Sequence, residues 1–206
     1  MIEVIRPELA KYHQQKLGDY QAANDRDPKD AIVFTGDSII EFFPLKKFLG
    51  RDQVLLNRGI AGTDTNWLKD HLKEQVLALE PDKLFILIGT NDLGLGYDDE
   101  HIFRNIEIIL QTIQFESIAT RVYLLSILPV SHKKEYQAKV KMRNNHDIQV
   151  LNRQFEGQLL AEYIDLYPHL LDEEGNLADE FTTDGLHLSQ KGYAIIAEQL
   201  KPYLDS

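Results

Sequence analysis

The chain reads as an α/β protein, a three-layer α/β/α sandwich around a parallel five-stranded sheet. Short runs rich in β-branched residues alternate with longer stretches of helical period. The run "LFILI" at 84–88 is continuously apolar, as a strand buried on both faces must be. Parallel neighbours require crossovers, and right-handed crossovers lay helices on both faces of the sheet.

Along the chain, a leading helix is expected from 7 to about 24. Residues 31–35, "AIVFT", make the first strand and 54–57, "VLLN", the second. A helix over 65–79 leads to the third strand at 83–88, and a helix over 99–115 leads to the fourth at 121–128, "RVYLLSIL". After a helix over 146–161 comes a weaker strand at 163–166, "YIDL", and the last helix covers 189–200. Two connections stand out, "NDLGLGYDDE" at 91–100 and the longer "PVSHKKEYQAKVKMRNNHD" at 129–147. A connection as long as the second is often a lid or binding loop, and can carry helix of its own. Its Lys133, Lys134, Lys139, Lys141 and Arg143 read as a solvated surface rather than an anion site.

Composition narrows the function. At 206 residues the chain suits one globular domain, 1–206, and its 43% apolar and 27% charged content argues against disorder. A net charge of −11 disfavours binding to nucleic acid or to anionic lipid, both of which recruit Lys and Arg. With no cysteine there is no disulfide, thiolate metal site or thiol nucleophile. The opening "MIEVIRPELAKYHQQKL" lacks the continuous apolar core of a signal peptide, and no run is long enough to span a bilayer. A cytoplasmic protein is the resulting expectation. An apolar helix face could support a homodimer.

In open α/β sheets ligands sit beyond the carboxyl ends of the strands. Four short blocks fall there. "FTGDSIIEFF" places Ser38 just past the first strand, where a helix-capping role and a nucleophilic one are both open. "NRGIAGTDT" follows the second, with Gly59 and Gly62 permitting a tight turn. "GTND" puts Asn91 after the third, and "TTDGLHLS" sets Asp184 three residues before His187. Alone, each is an ordinary turn or cap. Together they supply what acyl transfer needs: a nucleophile (Ser38), a base (His187), a group that orients the base (Asp184), and oxyanion donors. The donors would be the backbone N–H groups of Ser38 and Gly62 and the side-chain amide of Asn91, a neutral donor at every working pH.

These blocks, "GDS", "GIAG", "GTND" and "DGLH", resemble in order and spacing those of the SGNH hydrolases, the GDSL esterases and lipases. The resemblance covers 31–200 and is nearest to compact bacterial acylhydrolases and platelet-activating factor acetylhydrolase catalytic subunits. It implies a flavodoxin-like sheet, a Ser38–His187–Asp184 triad, oxyanion donors at Ser38, Gly62 and Asn91, and no metal or other cofactor. Two departures are visible: Thr63 stands between Gly62 and Asp64, and Ile39 replaces the leucine of the family name. Neither touches a catalytic atom.

Other readings fit less well. The G-x-S-x-G elbow of α/β-hydrolases fails at Ile40. "GLGYDD" is an incomplete dinucleotide motif in the wrong place, and Asp37, Asp92, Asp184 and His187 lack the spacing of a metal site. A noncatalytic protein on the same fold would be expected to have lost a block. The expected partner is therefore a small-molecule ester with a short or medium acyl chain. O-acetylated carbohydrates, lysophospholipids and thioesters are the alternatives, and Phe42, Trp67, Leu93 and Tyr97 are candidate pocket residues, as open to core roles as to binding.

Overall fold

The computed structural model describes residues 2–205. Five parallel strands, β1 (Ile32–Gly36), β2 (Leu55–Gly59), β3 (Lys83–Leu87), β4 (Arg121–Leu125) and β5 (Glu162–Ile164), lie in the order β2-β1-β3-β4-β5. That is the flavodoxin-like order. The chain leaves β1 towards one edge and returns on its other side as β3, so a crevice opens beyond the ends of these two strands.

The helices are α1 (Pro7–Ala23), α2 (Ser38–Glu41), α3 (Leu45–Phe48), α4 (Thr65–Asp70), α5 (Leu72–Gln75), α6 (Thr90–Leu95), α7 (Asp99–Glu116), α8 (Gln137–Val140), α9 (Asn145–Gly157) and α10 (Gln190–Leu204). Alternation along the strands divides the core into two layers. Val33, Leu84, Ile86 and Leu124 pack against apolar residues of α4, α5, α7 and α9. Phe34, Phe85, Leu87, Tyr123 and Leu125 pack against α2, α3 and α10. Phe34, Phe85 and Tyr123 are register partners and stack in a ladder, with ring centroids 4.6 Å apart at both steps. Such offset aromatic contacts add to the stabilisation from burial and hold register.

The structure corrects several expected boundaries. The helix expected at 65–79 is broken into α4, α5 and a 3-10 turn at Leu77–Leu79. The bend delivers the Gln75 side chain into the interior, where it donates to Arg58 O (2.7 Å) and Thr35 Oγ1 (3.1 Å). A polar group enters the core there because it is fully partnered. β2 runs later than expected and contains Arg58, buried but paired with Asp27 at 2.7 Å and stacked on Tyr20. β4 ends at Leu125, not 128, because Asn152 of α9 takes over both backbone groups of Ile127. β5 is shorter and earlier than 163–166, since Leu166 N and Tyr167 N turn to Ser126 Oγ. α9 stops before 161, where Gln158 Oε1 accepts from Leu160 N and Ala161 N, and α10 continues through Pro202 to Leu204.

Candidate active site

Ser38 is the first residue of α2. The cap is Asp37, whose Oδ1 accepts from Ile39 N at 2.8 Å, so the Ser38 hydroxyl is not spent on capping. Ser38 Oγ instead lies 2.9 Å from His187 Nε2. His187 Nδ1 lies 2.7 Å from Asp184 Oδ2, and Asp184 Oδ1 accepts from the backbone N–H of His187 (2.7 Å) and of Leu186 (3.1 Å). With Nδ1 donating to the carboxylate, Nε2 is left as an acceptor for the serine proton.

The loop carrying Asp184 and His187 braces itself. Thr182 Oγ1 accepts from Gly185 N and donates to His187 O, each at 2.8 Å, and Ser189 caps α10 immediately afterwards. Tyr193 of α10 donates to Ile39 O at 2.9 Å, tying this loop to the helix that starts with Ser38. Partial burial raises the Asp184 pKa, but the hydrogen bonds from the His187 ring and backbone outweigh it and hold the carboxyl below its ordinary value.

Across from this loop, Gly62 has φ +83°, and a Cβ there would lie 2.9 Å from Leu9 Cδ2 and 3.3 Å from His13 Nε2. The positive φ favours glycine, and a side chain there would press on Leu9 and His13 of α1. Gly59 serves differently from the turn expected of it. It ends β2, where a Cβ would meet Glu41 N at 2.3 Å, so its small size admits α2. Asn91, in α6, donates from Nδ2 to Thr63 O at 2.9 Å and accepts at Oδ1 from Arg143 Nη2 at 3.1 Å. One Nδ2 hydrogen is thereby left for another acceptor. Next to it, Asp92 accepts from Thr65 N and from Thr65 Oγ1 (2.5 Å), pinning α6 to α4. Burial pushes the carboxyls of Asp37 and Asp92 up to about 7, against the opposing pull of their hydrogen bonds.

Arg143 overturns its expected role. Its side chain is 0% exposed, not part of a solvated surface, whereas Lys133 and Lys139 do lie at the surface. The 129–147 connection contains α8 and packs as a wall beside the His187 loop, with Ser131 N donating to Gly185 O and Lys139 Nζ 3.8 Å from Asp184 Oδ2. The one hint in the sequence was an arginine among lysines, the residue suited to forked hydrogen bonding.

The four candidate pocket residues separate. Phe42 is 51% exposed with its ring 5.6 Å from that of His187. Trp67 is held between His13 and His71, with ring separations of 5.1 and 4.1 Å. Leu93 is part of the buried core, and with Tyr97 it lines a cavity of about 290 Å3 whose other walls are Asp98, Asp99, Asp147 and Val150. Ser38 and His187 do not border that cavity. Among the described residues no three His, Asp or Glu side chains converge to hold a metal ion, and no helix is long and apolar enough to cross a membrane.

The sequence profile of the GDSL-like lipase/acylhydrolase family matches residues 34–195. The chain belongs to that family. It is a family of ester-cleaving hydrolases. The chain is 36% identical to a solved Streptococcus pneumoniae structure described as a platelet activating factor, with a TM-score of 0.91 over 95% of this chain and 94% of that one. It is 24% identical over 186 residues to the human platelet-activating factor acetylhydrolase IB subunit alpha1, covering 88% of this GDSL-family chain and 78% of the relative. It is 28% identical over 201 residues to the N-acylneuraminate cytidylyltransferase of Escherichia coli. That match covers 92% of this chain but 46% of the relative, so the chain spans about half the length of that protein.

Proposed function

We propose that the chain hydrolyses carboxylic esters of short or medium acyl chain through an acyl-enzyme on Ser38. The observation that carries this reading is the unbroken contact from Ser38 Oγ through the His187 ring to Asp184, at 2.9 and 2.7 Å. Ser38 Oγ attacks the ester carbonyl while His187 Nε2 takes its proton. Asp184 holds the ring tautomer and stabilises the imidazolium. The tetrahedral oxyanion faces the N–H groups of Ser38 and Gly62 and the free Nδ2 hydrogen of Asn91. Collapse expels the alcohol, which receives the proton from Nε2. Water, deprotonated by the same nitrogen, then releases the acid and restores Ser38.

The name of the human relative, an acetylhydrolase, favours a small acyl group. A second reading, hydrolysis of O-acetyl groups on carbohydrate, draws on the relative named for N-acylneuraminate, an acylated sugar acid. The test is a series of p-nitrophenyl esters of increasing chain length, with acetate release from O-acetylated sugars as a second substrate set, on wild type and Ser38→Ala. Wild type is expected to turn over the short esters fastest and Ser38→Ala to lose that activity. Equal rates in the two proteins overturn the reading.

A further inference from the structure

We propose that Arg143 is a positioning residue for the oxyanion donor, fixing the orientation of the Asn91 amide, and that Glu3 holds Arg143 in that role. The inference rests on the esterase reading above. A side-chain amide can be turned over with little change of shape, exchanging its oxygen for its NH2 group. In the turned-over state Asn91 would present an oxygen, not a donor, to the developing oxyanion. Arg143 forbids that state, because a guanidinium only donates and its Nη2 sits 3.1 Å from Asn91 Oδ1. The Nδ2 group is then committed to the opposite side, where one hydrogen goes to Thr63 O and the other is free.

The guanidinium is itself over-determined. Nε donates to Thr90 O at 2.7 Å, Nη1 to Val140 O at 3.3 Å, and Nη2 pairs with the Glu3 carboxylate. With the bond to Asn91, four of its five N–H groups and its charge are met, which is what lets a charge this deeply buried persist. One fork thus holds the carbonyl of residue 90 and the side chain of residue 91 together, which the single ammonium of a lysine cannot do. A cation on Oδ1 also draws electron density from the amide and strengthens its remaining N–H donor. Glu3 closes the arrangement. Its backbone N–H donates to Gly94 O at 2.8 Å, and its carboxylate bridges Arg143 and Lys141, the latter at 2.8 Å. The segment before α1 is thereby fastened to both walls of the donor side.

The test is kcat and KM on p-nitrophenyl acetate for wild type, Arg143→Met, Arg143→Lys, Asn91→Ala and the Arg143→Met/Asn91→Ala double variant, with thermal melts to confirm folding. Arg143→Met is expected to lower kcat on the order of 10- to 100-fold with little change in KM, somewhat less than deleting the donor itself. Arg143→Lys should recover little of that loss. In the Asn91→Ala background Arg143→Met should cost nothing further, since the group it positions is gone. A folded Arg143→Met with wild-type kcat, or a loss that multiplies in full with that of Asn91→Ala, overturns the inference while leaving the esterase reading intact. A wild type that matches Ser38→Ala removes the esterase reading first. If Arg143→Met does not fold, Glu3→Gln carries the same cycle: a fall in kcat that vanishes in the Asn91→Ala background supports the inference, and unchanged or fully multiplicative kinetics overturn it.

Discussion

Residues 182–188 carry the proposed base and its acid on one short loop, closed by hydrogen bonds among its own members. The proposed donor side is built in the opposite way. Gly62 follows β2, Asn91 lies in the first turn of α6, and Arg143 reaches Asn91 from 52 positions along the chain and Glu3 from 140. The loop depends on local contacts, and the donor side on the packing of α1, α6, α8 and the 129–147 wall. Damage to the first should therefore be chemical and abrupt, and damage to the second graded and sensitive to the fold.

The largest expected effect lies in the loop. His187→Ala should cut kcat on the order of 10^4- to 10^6-fold, and Asp184→Asn on the order of 10^4-fold, because the asparagine cannot hold the Nδ1–H tautomer. Both variants should melt close to wild type, since the loop's threonine bonds remain. Steady-state kinetics beside thermal melts check this, and a loss of less than about tenfold for His187→Ala would break the contrast.

On the donor side, Asn91→Ala should cost roughly 10^2- to 10^3-fold in kcat with KM little changed. A change confined to KM would mean that Asn91 binds substrate without serving the transition state.

The smallest effect separates the two regions by pH. Asp184 has a folded pKa below its ordinary value, so the stability it contributes is full above the unfolded pKa and is lost as pH falls through the folded one. Asp92 is the reverse. Burial raises it from 3.8 to about 7, so its contribution is full below 3.8 and declines as pH rises towards about 7. Asp92→Asn keeps an acceptor for Thr65 and should flatten the decline in urea midpoint across that window. Asp184→Asn should leave the decline in place and remove part of the loss in acid. An unchanged slope in Asp92→Asn would show that its carboxyl is ionised throughout.

Much of this was legible before any fold was available. The continuous apolar run at 84–88 marked a buried central strand, and Ser38, Gly62, Asn91, Asp184 and His187 all stood just past strand ends or ahead of a helix. Such positions follow from local periodicity and from where parallel strands must stop. Boundaries were less accessible because distant side chains moved them: Asn152 ended β4 and Gln75 bent the expected helix at 65–79. Arg143 was hidden for the same reason. Its neighbours in the chain mix polar with apolar and buried with exposed positions in no regular period, and nothing local distinguishes a buried guanidinium from a solvated one until Glu3, Thr90 and Asn91 surround it.

The sequence by itself determined the layered α/β architecture and the residues of the Asp184–His187 loop, because period, turn chemistry and a spacing of three residues are properties of the local chain. Tertiary structure alone decided that Asp37 rather than Ser38 caps α2, that Leu93 belongs to the core, and that the Asn91 oxygen meets Arg143 while its NH2 group turns to Thr63 O. Those outcomes depend on which groups from remote segments compete for the same hydrogen bond or the same volume, and that competition exists only once the chain has folded.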